Sequence, residues 1–170
     1  MPEPRGEGWV LRGVKPRIWL SSRTRLLLLA ATAAMMLGMA APVRASLRSD
    51  VLEAIHMVEN PHDVRRPGRH GELGAYQFRQ ETWRMHSQAP FAQALDRSAS
   101  DAVAIQHFEW ISRSFTRAGV SVTAYNVALA WNGGLQAAIK GRVPAATRDY
   151  ADRVNNLVED MHAHQLADSR

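Results

Sequence analysis

Residues 100–119 read SDAVAIQHFEWISRSFTRAG. Ala104, Phe108, Ile111 and Phe115 recur there at three-to-four spacing, the period at which one face of an α-helix returns. Ser100 stands where an N-cap is expected, and Gly119 where a helix ends in a left-handed residue. Working outward, Asp50 with Glu53 reads as a capping box ahead of Val51, Leu52, Ile55 and Val58, and Pro61 stops that helix near Glu59 or Asn60. Residues 60–75 are loop-like. A short helix over Gln77–His86 is expected after an extended piece at Ala75–Phe78. Thr123 to Trp131 forms another helix, stopped by Asn132-Gly133-Gly134, and a short one ends at Gly141. After Pro144, the residues Tyr150, Val154, Leu157 and Met161 mark a last amphipathic helix, with a polar, fraying tail over 162–170. Strand-like alternation is nearly absent. The expectation is an all-α domain of about six short helices.

The remainder of the chain constrains where such a domain works. Leu26 to Ala41 is an apolar run after a basic stretch, too short to span hydrocarbon comfortably. Val43 and Ala45 then present small residues at the spacing a signal peptidase reads. Residues 1–45 are therefore read as a cleavable signal peptide, with an uncleaved anchor as the alternative. Either way residues 46–170 lie outside the cytoplasm, in a periplasm or cell envelope, with no integral membrane span after cleavage. Residues 46–161 make the domain. The formal charge of the 170-residue chain is +5, and its first 45 residues hold seven basic against two acidic side chains, the whole surplus. The exported part is balanced, with fourteen of each. A nucleic-acid-binding face would put the charge on the folded part, so no nucleic-acid partner is expected. The absence of Cys excludes a disulfide framework, a thiolate metal site and a Cys nucleophile.

Four places can carry chemistry. Glu59 sits in the last turn of an apolar helix, where burial and the negative end of the helix dipole both favour its neutral form. A carboxyl kept protonated near neutral pH can donate its proton to an ether oxygen. The plain alternative is a surface Glu at a helix end. His56 nearby lacks the second His of helix-borne zinc motifs, so no metal site and no cofactor are expected. In Gly71-Glu72-Leu73-Gly74-Ala75-Tyr76-Gln77-Phe78, two glycines allow a tight backbone, and Gln77 offers a donor and an acceptor. The alternative is an ordinary turn with Tyr76 and Phe78 in the core. In Ala130-Trp131-Asn132-Gly133-Gly134, Asn132 suits an N-acetyl group and Trp131 a sugar face, against a Gly C-cap with a core Trp. Tyr150 can send its hydroxyl towards Glu59, or be a core-edge Tyr.

Taken in order, these pieces resemble the soluble lytic transglycosylase family. That family runs Glu-Ser, then Gly-Leu-Met-Gln, then Ala-Tyr-Asn-Ala-Gly, then a late Tyr in a Thr-x-x-Tyr setting. The matching residues are Glu59-Asn60, Gly74-Ala75-Tyr76-Gln77, Ala130 to Gly134, and Thr147 to Tyr150. Gly74 to Trp83 (GAYQFRQETW) is also similar to a segment of the resuscitation-promoting factors. The likeness covers about residues 48–160. There are departures. Asn60 replaces Ser, Ala75-Tyr76 replaces Leu-Met, Trp131 replaces Tyr, and Glu72 replaces a small residue.

The resemblance implies a lysozyme-like fold with a substrate cleft, and cleavage of the β-1,4 bond between N-acetylmuramic acid and N-acetylglucosamine in peptidoglycan glycan strands. Glu59 would be the single acid and base. The muramic 6-hydroxyl would attack internally to form a 1,6-anhydro ring, a step that gains from effective molarity. Gln77, Tyr76, Trp131, Asn132, Tyr150 and Glu72 would contact the substrate. If Glu72 or Asp63 faces Glu59 across the cleft, either can hold a water and make the enzyme a hydrolytic lysozyme. Arg65, Arg66 and Arg69 can form a basic lip over the loop. A module that binds glycan without cutting it, and a small helical interaction protein of the envelope, are the competing readings.

Overall fold

The computed structural model describes residues 47–168. The proposed leader and its cleavage site lie outside the described residues. Among the described residues there are six α-helices, one 3-10 turn and no strand, and a single antiparallel bridge joins Leu73 to Phe78. The helices are α1 (47–59), α2 (Gln80–His86), α3 (Arg97–Arg117), α4 (Ala124–Gly133), α5 (Leu135–Ile139) and α6 (Ala145–Asp168), with the 3-10 turn at Phe91–Leu95 between α2 and α3. No helix among them is long and apolar enough to cross a membrane.

The helical periods hold where apolar side chains set them. In α3, Val103, Ala104, Phe108, Ile111 and Phe115 are all buried. Its end is a Schellman motif: Gly119 turns left-handed at φ +70°, the Val120 N–H donates to the Phe115 carbonyl (2.9 Å), and the Gly119 N–H to Thr116 (3.3 Å). α4 is buried on most sides because it is built from small residues. Ala124, Val127, Ala128, Leu129 and Ala130 are all in the core, and α6 is its main partner. α6 answers with Tyr150, Ala151, Val154 and Val158 on one face, and Val51, Leu52, Ala54 and Ile55 of α1 join the same cluster.

Several expected boundaries move. Helix α3 starts three residues before Ser100, because the Asp96 carboxylate accepts the Ala99 N–H (2.8 Å) and takes the N-cap. Ser100 is then a buried interior residue. Asp50 is not a cap either: α1 is already helical at residue 47, and Asp50 is buried against His162 Nε2 at 2.8 Å. Of the stretch expected to be extended, Ala75, Tyr76 and Gln77 lie instead in a tight turn over 74–77, and Phe78 alone pairs, with Leu73, through backbone bonds of 2.9 and 3.0 Å; α2 begins only at Gln80. The helices are not all short, since α3 and α6 have 21 and 24 residues. The stretch expected to fray continues α6 to Asp168, with exposed side chains over 162–167. Thr123 does cap α4, its hydroxyl accepting the Asn126 N–H at 3.1 Å.

Candidate functional site

The end of α1 is tied to the 74–77 turn by one side chain. Asn60, just past Glu59, is buried. Its Oδ1 accepts the Val64 N–H (2.8 Å), and its Nδ2 donates to the carbonyls of Val64 (3.1 Å) and Gly74 (3.2 Å). Gly74 has φ +79°, and a Cβ there would lie 1.8 Å from the Ala94 carbonyl oxygen, so no other residue fits. Gln77 is also left-handed, at φ +45°, unusual for a residue with a Cβ. Its Nε2 donates to the Gly74 carbonyl (2.9 Å), which makes the strained turn self-supporting.

These elements enclose a groove of about 590 Å³. Glu59, Gln77, Tyr76, Trp131, Asn132 and Glu72 all line it. Tyr150 is the exception. It is buried behind Glu59, and its hydroxyl interacts with the Glu59 carboxyl without meeting hydrogen-bond geometry. Burial raises the Tyr150 pKa, and the Glu59 charge raises it further.

Glu59 is half-buried. Desolvation raises its pKa above the ordinary carboxylate value. Tyr150 works against the rise, the Glu72 charge adds to it, and Arg153 opposes it. Glu72 behaves oppositely. Desolvation pushes it up, but the backbone N–H groups of Glu72 and His70, with the charges of His70 and Arg79, outweigh that and hold it below the ordinary range. The His70 N–H donates to Glu72 Oε2 at 2.8 Å, and Arg79 Nε stands 3.5 Å from Oε1. One groove thus holds a carboxyl biased to keep its proton and a carboxylate biased to lose it.

Aromatic rings make the floor. Trp131 is partly exposed, and its ring centroid lies 5.7 Å from that of Phe78, 6.1 Å from Tyr76 and 4.8 Å from His107. The Tyr76 hydroxyl leaves the groove and donates to Asp101 Oδ1 at 2.7 Å, so Tyr76 offers the groove ring surface only. Asn132 is exposed, and its Oδ1 accepts the Thr147 hydroxyl (2.9 Å), which leaves its amide N–H₂ for a ligand.

Some candidates lie elsewhere. Asp63 is outside the groove, 3.0 Å from His56 Nε2, and Arg97 stands beside both. Of the expected basic lip only Arg69 borders the groove, and Arg79 rather than Arg65 or Arg66 joins it. The groove also holds His107, which sequence reasoning missed. A second row on α3, Ser100, Val103 and His107, is buried beside the row that was read, so a His at that period was the available signal. No cluster of three or more metal-binding side chains occurs among the described residues. Compared with protein-family models, curated proteins and solved structures, the chain finds no match.

Proposed function

We propose that this chain is an exported, lysozyme-like enzyme that cuts the β-1,4 glycosidic bonds of peptidoglycan, with Glu59 as the proton donor. The observation that carries the reading is Glu59 itself. It is half-buried at the end of an apolar helix, its pKa is raised by desolvation, and it faces a groove with an aromatic floor. A carboxyl that favours its proton in such a place protonates the leaving oxygen while the sugar is held on Trp131 and by the amides of Asn132 and Gln77. The order of motifs that resembles the lytic transglycosylases supports the same substrate. The acid step is common to two routes, internal attack by the muramic 6-hydroxyl and attack by water.

Replacing Glu59 with Gln removes the proton but keeps the shape. Clearing of a sacculus suspension should fall by about a hundredfold or more, with no loss of melting temperature. A variant that clears sacculi as fast as the wild type ends this reading. A catalytically silent binding module would instead pellet with sacculi and release no muropeptides from wild type and variant alike.

A further inference from the structure

The deeper inference rests on that reading and concerns the nucleophile. We infer that Glu72 is a second catalytic carboxylate, which holds the attacking water and makes the reaction a hydrolysis. The case begins with how the loop is built. The Gly68 N–H donates to the Glu72 carbonyl (2.8 Å), and the Gly71 N–H to the Gly68 carbonyl (3.1 Å), with Gly71 at φ +82°. This turn wraps the Glu72 side chain. A Cβ on Gly68 would come within 2.7 Å of both Glu72 Oε2 and Gln77 Oε1, so the absence of a side chain there is what lets the two groups approach the backbone. The side chain is only 15% exposed, held by its loop, and it lines the same groove as Glu59.

A salt bridge serving only the loop would not need that position. Arg79 is 62% exposed, and a surface pair of that kind contributes little to stability. What the arrangement does supply is a held carboxylate in the same groove as a carboxyl that favours its proton, the division of labour a two-carboxylate glycosidase uses. Internal attack by a sugar hydroxyl needs no such partner.

Water bound to Glu72 attacks the anomeric carbon and forms the new C–O bond. The bond from that carbon to the bridging oxygen breaks, and the bridging oxygen leaves with the Glu59 proton. The proton lost by the water passes to Glu72 and returns to Glu59 through solvent. One water is added, and the muramic residue ends as a reducing sugar.

The test is digestion of purified sacculi by the full-length protein in heavy-oxygen water, followed by mass spectrometry of the soluble muropeptides. Reducing products carrying one heavy oxygen are expected. Anhydro products without label overturn the role of Glu72 and leave the Glu59 reading standing. No products, under conditions where a control lysozyme cuts, overturn both. In Glu72→Gln, hydrolysis should fall by roughly a hundredfold with circular dichroism and melting retained. In Glu72→Ala, added azide should restore cleavage and appear in the product. A Glu72→Gln protein that hydrolyses within about threefold of wild type overturns the inference. Should that variant fail to fold, the label in the wild-type products decides alone.

Discussion

Asn60 makes three hydrogen bonds with one buried amide, joining the end of α1 to the turn that carries Gln77. Truncation to Ala would strand the Val64 N–H and remove a donor from the Gly74 carbonyl. Val64 is exposed and the Gly74 carbonyl keeps the Gln77 N–H and Nε2, so the lost bonds cost about 1–2 kcal/mol, to be read as a lowered urea midpoint for Asn60→Ala. Because Glu59 is the adjacent residue, kcat should fall more than KM rises. A loss confined to KM would mean that Asn60 positions substrate rather than the acid. Glu59 itself offers a sign test. Its pKa is raised in the folded protein, so whatever stability it contributes relative to Gln is fullest below the ordinary carboxylate pKa and is lost as pH rises through the folded value. The melting temperature of Glu59→Gln should therefore rise relative to that of wild type as pH increases. Parallel curves would show that Glu59 is solvated like a surface acid.

At the scale of elements, α2 and α3 meet through a pair of histidines. His86 Nε2 and His107 Nδ1 are 2.9 Å apart, and His107 stacks on Trp110 with ring centroids 5.5 Å apart. Burial drives the His107 pKa down from 6.5 to about 3, and the charge of His86 adds to the shift. Its neutral form is the folded form. Stability from this site is whole above pH 6.5 and is lost as pH falls towards 3, because the unfolded chain takes up the proton that the folded one refuses. Trp fluorescence against pH should show wild type losing more stability than His107→Gln between about pH 6.5 and 4; equal losses would place the acid sensitivity elsewhere. His107 also marks how far the sequence could be read. The apolar period of α3, the cap at Thr123 and the left-handed stop at Gly119 were legible because each is a local rule obeyed locally. Asp96 displacing Ser100 as cap was not, since both residues qualify and the choice depends on whether Ser100 is drawn into the core. Gln77 in a left-handed turn was hidden because a side chain with a Cβ ordinarily avoids that region, and its backbone N–H and amide bonds to the Gly74 carbonyl, with the Leu73–Phe78 bridge, hold it there. Glu59, Gln77, Trp131 and Asn132 were legible as a group through their order along the chain. That Tyr150 stands behind Glu59 and Asp63 off the groove is a matter of packing between distant helices, which no local pattern encodes.

For the whole molecule the deciding quantity is charge. Residues 46–170 carry fourteen basic and fourteen acidic side chains, and the surplus of the chain lies in its first 45 residues. On the proposed reading, a domain of zero formal charge has no net charge with which to gather an anionic polymer from a distance. The groove lining sets two cations, Arg69 and Arg79, against the Glu72 carboxylate, beside a Glu59 that favours its proton. Recognition on that reading rests on ring stacking at Trp131 and short hydrogen bonds from Asn132 and Gln77, which salt does not screen. Retention of Glu59→Gln on sacculi, measured by sedimentation, should change by less than about threefold between about 0.05 and 0.5 M salt, a range over which the screening length falls from roughly 14 to 4 Å. A basic wall-binding protein would be released over the same range. If this chain is released too, the arginines at the rim carry the binding, and Arg69→Ala with Arg79→Ala should reproduce the loss at low salt. If it is retained while Trp131→Ala is not, the glycan is held by its sugar faces.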